Sequence, residues 1–176
     1  MTSHDEHKGL HDHRSHAPVS VTCAVLTVSD TRTLETDAGG ALAASLLQEA
    51  GHPVALRRVV RDEPAEISAC LEEALAHPHV QVVVLTGGTG VAPRDRTPEA
   101  VEPHLDRVLP GFGELFRQLS YAEIGAAAML SRALAGIAEG RVVFVLPGSR
   151  AALRLAFEKL ILPEIGHLAG EARKDR

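Results

Sequence analysis

Runs of apolar residues and longer mixed stretches alternate along this chain, and their two periods mark its elements. Val82-Val83-Val84-Leu85 has no polar residue in alternate positions, the pattern of a strand buried on both faces. It predicts a central strand over Val80 to Thr86. Val21 to Val28 has the same character, whereas Val54 to Val60 is interrupted by Arg57-Arg58 and suits a strand nearer the sheet edge. Between these runs the apolar residues recur at helical spacing. Asp37-Ala38-Gly39-Gly40 opens a helix with Leu42, Leu46, Leu47 and Ala50 on one face, stopped by Gly51. Pro64 to Ala76 carries Ile67, Leu71, Ala74 and Leu75 on one face. Three strand-helix units in a row favour a parallel sheet joined by right-handed crossovers.

Beyond Thr97 the pattern changes. Thr97-Pro98-Glu99 reads as a helix start, with threonine as cap and proline in the first turn. Leu109-Pro110-Gly111-Phe112-Gly113 reads as a break before a helix over Glu114 to Ile124 that shows Leu115, Phe116, Leu119 and Tyr121; Met129 to Arg132 forms a further short helical turn. Leu134 to Ile137 and Val142 to Leu146 flank Ala138-Glu139-Gly140-Arg141 as a hairpin, which puts one antiparallel strand in the sheet. A last helix has the stripe Leu153, Ala156, Phe157, Leu160 and Ile161, until Pro163 bends or ends it.

The 176 residues, 45% of them apolar, suit one domain over residues 20–176. Residues 1–19 hold His4, His7, His11, His13 and His16 among charged residues without an apolar period, and are expected to be a disordered tail that could bind a divalent metal only weakly. No apolar run reaches the ~20 residues that cross a bilayer, and the start lacks the apolar core of a secretory signal. Cys23 and Cys70 fall in a strand and in a helix without ligand-spaced neighbours, so two buried, reduced thiols in a cytoplasmic protein are expected. A net charge of -5 and no Trp argue against nucleic acid as a partner. Neither argues against a phosphorylated small molecule, which needs only local donors.

Those donors are where the strands end. Thr86-Gly87-Gly88-Thr89-Gly90 follows the central strand, and three glycines in four residues let a ligand lie against main-chain N–H groups. Ser29-Asp30-Thr31-Arg32, Arg61-Asp62 and Pro147-Gly148-Ser149 end three other strands. In a parallel sheet these ends share one edge, so the loops converge. Asp62 and Asp95 would meet the glycine amides there together with Arg94 or Arg96. Amides favour phosphate, and carboxylates favour a hard cation such as Mg²⁺ that bridges phosphate oxygens. The pairing points to phosphoryl or nucleotidyl transfer. A nicotinamide-binding domain is disfavoured, since the first strand lacks G-x-G-x-x-G.

Thr86 to Gly90, Arg94-Asp95-Arg96-Thr97-Pro98-Glu99-Ala100, Pro110-Gly111-Phe112-Gly113-Glu114, Ser131-Arg132 and Leu146-Pro147-Gly148-Ser149, in this order and spacing, closely resemble the MoaB/MogA family of molybdenum cofactor biosynthesis proteins. The resemblance spans Val21 to about Leu168 and ends as the MoaB branch does. It implies an α/β fold, a three-layer αβα domain whose mainly parallel sheet carries one antiparallel strand, assembled as trimers or hexamers. It also implies Mg²⁺-dependent adenylyl transfer from ATP to the terminal phosphate of molybdopterin, with release of pyrophosphate. A non-catalytic pterin-binding or carrier protein is the alternative. Carried over residue by residue, the family's two essential aspartates match Asp62 and Asp95. Asp95 would hold Mg²⁺ and the nucleotide phosphates, and Asp62 would orient or deprotonate the attacking group. Thr86, Gly87, Gly88, Thr89 and Gly90 would cradle substrate, with Asp30, Ser131, Pro147, Gly148 and Ser149 as further contacts.

Overall fold

A computed structural model describes residues 18–174 of the chain. Its sheet contains β1 (Cys23–Val28), β2 (Val54–Val60), β3 (Val82–Thr86), β4 (Arg107–Val108), β5 (Leu134–Ala138) and β6 (Arg141–Leu146). The helices are α1 (Ala38–Glu49), α2 (Pro64–Ala76), α3 (Thr97–Val101), α4 (Pro110–Ile124), α5 (Arg150–Ala156) and α6 (Leu162–Glu171). The strand order is β2-β1-β3-β6-β5-β4. β2, β1, β3 and β6 are parallel, while β5 runs antiparallel to both β6 and β4.

All of β3 is buried, and its side chains alternate between two cores. Val82 and Val84 join Leu47 of α1, Phe116 of α4, Leu153 of α5 and Ile165 of α6. Val83 and Leu85 join Ile67 and Leu71 of α2 and Val101 of α3. The sheet is therefore the middle of three layers, as the unbroken apolar runs require. The chain leaves β1 for β2 on one side and returns through α2 to β3 on the other. The carboxyl ends of β1 and β3 thus form a topological switch point, where open α/β sheets take ligands.

Several elements follow their local chemistry directly. The Asp37 carboxylate accepts the Gly40 N–H at 2.8 Å and caps α1. Glu139 (φ 50°) and Gly140 (φ 74°) form the two-residue turn of the β5–β6 hairpin, the conformation that matches strand twist. β2 lies at the sheet edge, where its arginines can leave the core. Cys23 and Cys70 are free and buried, and burial pushes their thiols up to about 12 and about 11, so neither is a ready nucleophile.

Other expectations need correction. Thr97 caps nothing: its hydroxyl donates to the Gly87 carbonyl at 2.8 Å, and Arg96 precedes the helix without a side-chain cap. Ala50 is exposed, and Gly40 and Ala43 take its place on the buried face of α1. The break expected at 109–113 is the first turn of α4, since Pro110 there has no hydrogen bond to lose. On α4, Phe116 is buried while Leu115 and Tyr121 face outward. The short helical turn is 3₁₀ and spans Gly125–Leu130, so Ser131, extended, and Arg132 follow it outside the helix. Pro163 does not end the last helix; a π turn over Phe157–Ile161 leads into α6, with Pro163 in its first turn. The central strand starts at Val82, and β4 was too short to leave a pattern. The expected histidine-rich tail lies, but for Pro18 and Val19, outside the described residues.

Candidate functional site

A cleft of about 340 Å³ opens at the switch point. Ser29 after β1 and Thr86 and Gly87 at the end of β3 form one side, and the first residues of α1 with Gly148 and Ser149 form the other; Arg32 and Arg150 complete the lining. The loops are held tightly. Gly87 N–H donates to the Leu146 carbonyl at 3.0 Å, and the Thr86 hydroxyl to the Pro147 carbonyl at 3.2 Å. Ser149 caps α5 by accepting the Ala152 N–H. Two helix starts and two guanidinium groups thus face the same space, which favours an anion.

Asp37, also in this wall, is only 3% exposed and is fully engaged. Besides the Gly40 N–H it accepts the Thr27 hydroxyl at 2.8 Å and Arg57 Nη2 at 3.0 Å. Its charge is thereby neutralised inside the protein, leaving the cleft to Arg32 and Arg150. Asp37→Ala should remove the cap and leave Arg57 only the Asp37 and Leu34 carbonyls as partners, at a cost of about 2 kcal/mol. Urea denaturation would measure that loss.

The glycine turn divides this cleft from the acidic groups. Gly87 (φ +103°) and Gly88 (φ +63°) both lie in the left-handed half of backbone space. Asp62, just after β2, lies against Gly88: a Cβ there would stand 3.0 Å from Asp62 Oδ2 and 2.3 Å from Thr97 Oγ1. Asp62 N–H donates to Asp30 Oδ1 at 3.1 Å, which ties the first two strand ends together. Arg94 Nη2 bridges Asp30 at 2.7 Å and Glu63 at 3.4 Å. Asp62 Oδ1 is buried without a hydrogen-bond partner. Burial raises the Asp62 pKa above its ordinary value of 3.8; the Arg96 backbone N–H opposes this, Asp95 and Asp30 add to it, and Arg94 offsets part of it.

Asp95 does two things. Its Oδ2 accepts the Ala92 N–H at 3.0 Å and closes a turn, while Oδ1 has no protein partner among the described residues. A Cβ at Gly90 would stand 2.6 Å from Asp95 Oδ2, so glycine is what allows the loop to fold onto the acid. Asp62 therefore meets Gly88 and Asp95 meets Gly90, with Asp30 bonded to the Asp62 N–H, whereas the cleft takes Thr86, Gly87, Gly148 and Ser149. Thr89 is buried, and its carbonyl accepts the Arg132 N–H. Pro147 contributes a carbonyl to the fold, and Ser131 lies apart in a second cavity.

The profile of the family described as "Probable molybdopterin binding domain" matches residues 24–167. Molybdenum cofactor biosynthesis protein B of Halalkalibacterium halodurans is 48% identical over 168 residues, 95% of this chain and 99% of that protein. The chain belongs to the MoaB/MogA family of molybdenum cofactor biosynthesis proteins. A crystal structure of molybdenum cofactor biosynthesis protein B, 48% identical, superposes with a TM-score of 0.88 over 91% of this chain and all of that one. The tungsten cofactor synthesizing protein MoaB from Pyrococcus furiosus, 38% identical, gives 0.81 over 90% of this chain and all of its own. The fold is that of the family, and the protein's role lies in molybdenum cofactor biosynthesis.

Four groups at the site escaped the sequence reading: Asp37, Arg57, Arg150 and Arg132. Asp37 and Arg57 carried a signal, a buried-strand context broken by arginine opposite a helix cap. Arg132 carried none beyond its place in a motif and Arg150 none at all, because nothing local says where a guanidinium will point.

Proposed function

We propose that the protein transfers the adenylyl group of ATP to the terminal phosphate of molybdopterin, with Mg²⁺, and releases pyrophosphate. The observation that carries this reading is the pair Asp62 and Asp95 set against the glycine turn, beside a cleft with anion-binding character. In the reaction a pterin phosphate oxygen bonds to the α-phosphorus of ATP as the bond to the β-phosphate oxygen breaks. The cleft's helix starts, Arg32 and Arg150 would hold the triphosphate and the charge that gathers on departing pyrophosphate.

Among the described residues no cluster of three or more acidic, His or Cys side chains could hold a metal unaided. That fits Mg²⁺, which uses one or two carboxylates and completes its shell with phosphate oxygens and water. Asp95 Oδ1, without a protein partner among the described residues, is the oxygen that would hold it. Bound Mg²⁺ supplies charge neutralisation on the reacting phosphates. A phosphate monoester has its second pKa near ~6 and is mostly dianionic at neutral pH, so Asp62 has orientation rather than proton removal as its main task. Purified protein given molybdopterin, ATP and Mg²⁺ should release pyrophosphate in a coupled assay. Pterin binding without release would support the carrier reading instead.

A raised Asp62 pKa also links the site to stability. The folded state holds the Asp62 proton more tightly than the unfolded state, so this stability is present below pH 3.8 and is lost as pH rises through the folded pKa. At pH 7 Asp62→Asn should therefore be more stable than the parent, with the gain vanishing in acid, while pyrophosphate release falls. Denaturation curves at pH 3.5 and 7 test this; equal shifts at both would refute it.

Assembly as a trimer or hexamer belongs to the same proposal. Tyr121, Ile124, Met129 and Leu130 expose an apolar stretch along the end of α4 and the 3₁₀ turn, of the kind subunit contacts cover. Light scattering at micromolar protein measures it. No helix among the described residues is long and apolar enough to cross a membrane, and a cytoplasmic location suits two thiols kept reduced.

A further inference from the structure

We infer that Arg132 is the positioning residue for Asp95: its guanidinium staples both limbs of the loop that carries the acid, and so sets Asp95 Oδ1 where it can meet Mg²⁺. The inference rests on the proposed use of Asp95 and adds what keeps that oxygen in place. The loop leaves β3 after Thr86 and enters α3 at Thr97. At its neck the Thr97 N–H donates to the Gly88 carbonyl at 3.1 Å, and the Arg96 N–H meets Asp62. Further out, residues 92–95 close their own turn, through Asp95 N–H to the Ala92 carbonyl at 2.9 Å and Ala92 N–H to Asp95 Oδ2 at 3.0 Å. That turn fixes Asp95 against Ala92 but not against the sheet. Val91 is 66% exposed and anchors nothing, and the ion pairs of Arg94 with Asp30 and Glu63 join exposed groups, which hold weakly.

Arg132 supplies the tie. Its Nε donates to the Gly90 carbonyl at 2.8 Å on the outgoing limb, and its Nη2 donates to the Asp95 carbonyl on the returning limb. Nη1 bonds the Glu99 carboxylate in the first turn of α3, and the main-chain N–H donates to the Thr89 carbonyl at 3.2 Å. One planar group thus joins the two limbs to each other and to the helix that follows them. A guanidinium presents its donors in a fixed fork, whereas an ammonium on a flexible stem cannot hold three separate acceptors in one plane. Holding the Asp95 carbonyl fixes the backbone from which the carboxylate projects.

The staple is itself held, and its charge is met away from the acid. Arg117 of α4 donates to the Ser131 and Ala133 carbonyls at 3.5 and 3.2 Å, on either side of Arg132. A Cβ at Gly113 would come within 2.9 Å of Arg117 Nη2, so glycine leaves that side chain its place. Glu99 pairs with Arg132, and the bonds to the loop go to carbonyls rather than to the Asp95 carboxylate. Arg132 therefore organises the loop without setting a competing cation on the oxygen meant for Mg²⁺.

The test is amide hydrogen exchange on the full chain, read by mass spectrometry over residues 88–97, with pyrophosphate release followed in parallel across Mg²⁺ concentrations. Arg132→Lys keeps the charge and loses the fork. Exchange over 88–97 should quicken roughly tenfold or more while β3 and α2 exchange as in the parent. The Mg²⁺ concentration for half-maximal rate should rise roughly fivefold or more, with the rate at saturating Mg²⁺ within about threefold of the parent's. Parent-like exchange over 88–97, faster exchange throughout the chain, a variant that does not fold, or a lower saturating rate with an unchanged Mg²⁺ requirement would overturn the assignment. A parent that releases no pyrophosphate, with the loop loosened in the variant as expected, would sink only the adenylyl-transfer reading.

Discussion

Asp95→Asn should leave a folded protein that releases pyrophosphate about a thousandfold more slowly than the parent, a loss near 4 kcal/mol of transition-state stabilisation. The geometry makes this substitution selective. Asp95 Oδ2 accepts the Ala92 N–H and closes the loop, and an asparagine oxygen accepts the same bond. Arg132 holds the Asp95 carbonyl, which the substitution does not touch. What disappears is the negative charge facing the space beside Asp62, so the melting temperature should stay within about 2 °C of the parent's. The Mg²⁺ concentration giving half-maximal rate should rise as well. A variant that keeps more than a tenth of the parent's rate would take Asp95 out of the mechanism.

Legibility in the sequence followed the length over which a signal repeats. Val82-Val83-Val84-Leu85 and the stripe Ile67, Leu71, Ala74, Leu75 are redundant patterns, and the three-layer fold with one reversed strand follows from such patterns. The single-residue signals were weaker. Thr97 has cap chemistry, yet its hydroxyl is needed to hold the Gly87 carbonyl, a contact that depends on a turn ten residues away. Pro110 and Gly113 look like a break but open α4 and make room for Arg117. At the site, convergence of the strand ends was readable because parallel topology dictates it. The division into a cationic cleft and an acidic flank was not. It depends on which way Gly87 and Gly88 turn the backbone, and on where Arg132 and Arg150 reach, and neither has a one-dimensional trace.

The two glycines at that division should fail differently when given a methyl group. Alanine at Gly87 must adopt φ near +103°, and its Cβ would stand 2.3 Å from the Val28 carbonyl oxygen. That oxygen is backbone at the end of β1 and cannot swing aside, so β1 and β3 must part and the Gly87 bond to Leu146 must stretch. Strain of about 1–3 kcal/mol for the backbone alone, with the displaced strands added, should bring the loss for Gly87→Ala to about 4 kcal/mol or more. Against a typical total of about 5–15 kcal/mol, that is a large fraction of the protein's stability. Gly88 sits at φ +63°, where a side chain costs roughly 1 kcal/mol, and its Cβ would meet Thr97 Oγ1 and the Asp62 carboxylate. These are side-chain atoms, and displacing Thr97 Oγ1 gives up its one hydrogen bond to the Gly87 carbonyl rather than parting two strands. Gly88→Ala should therefore keep most of its stability while shifting Asp62 and losing pyrophosphate release. Urea curves and the coupled assay on both variants separate the cases. Equal stability losses would mean that the turn is a spacer, with no distinction between the side that packs on β1 and the side that faces the acid.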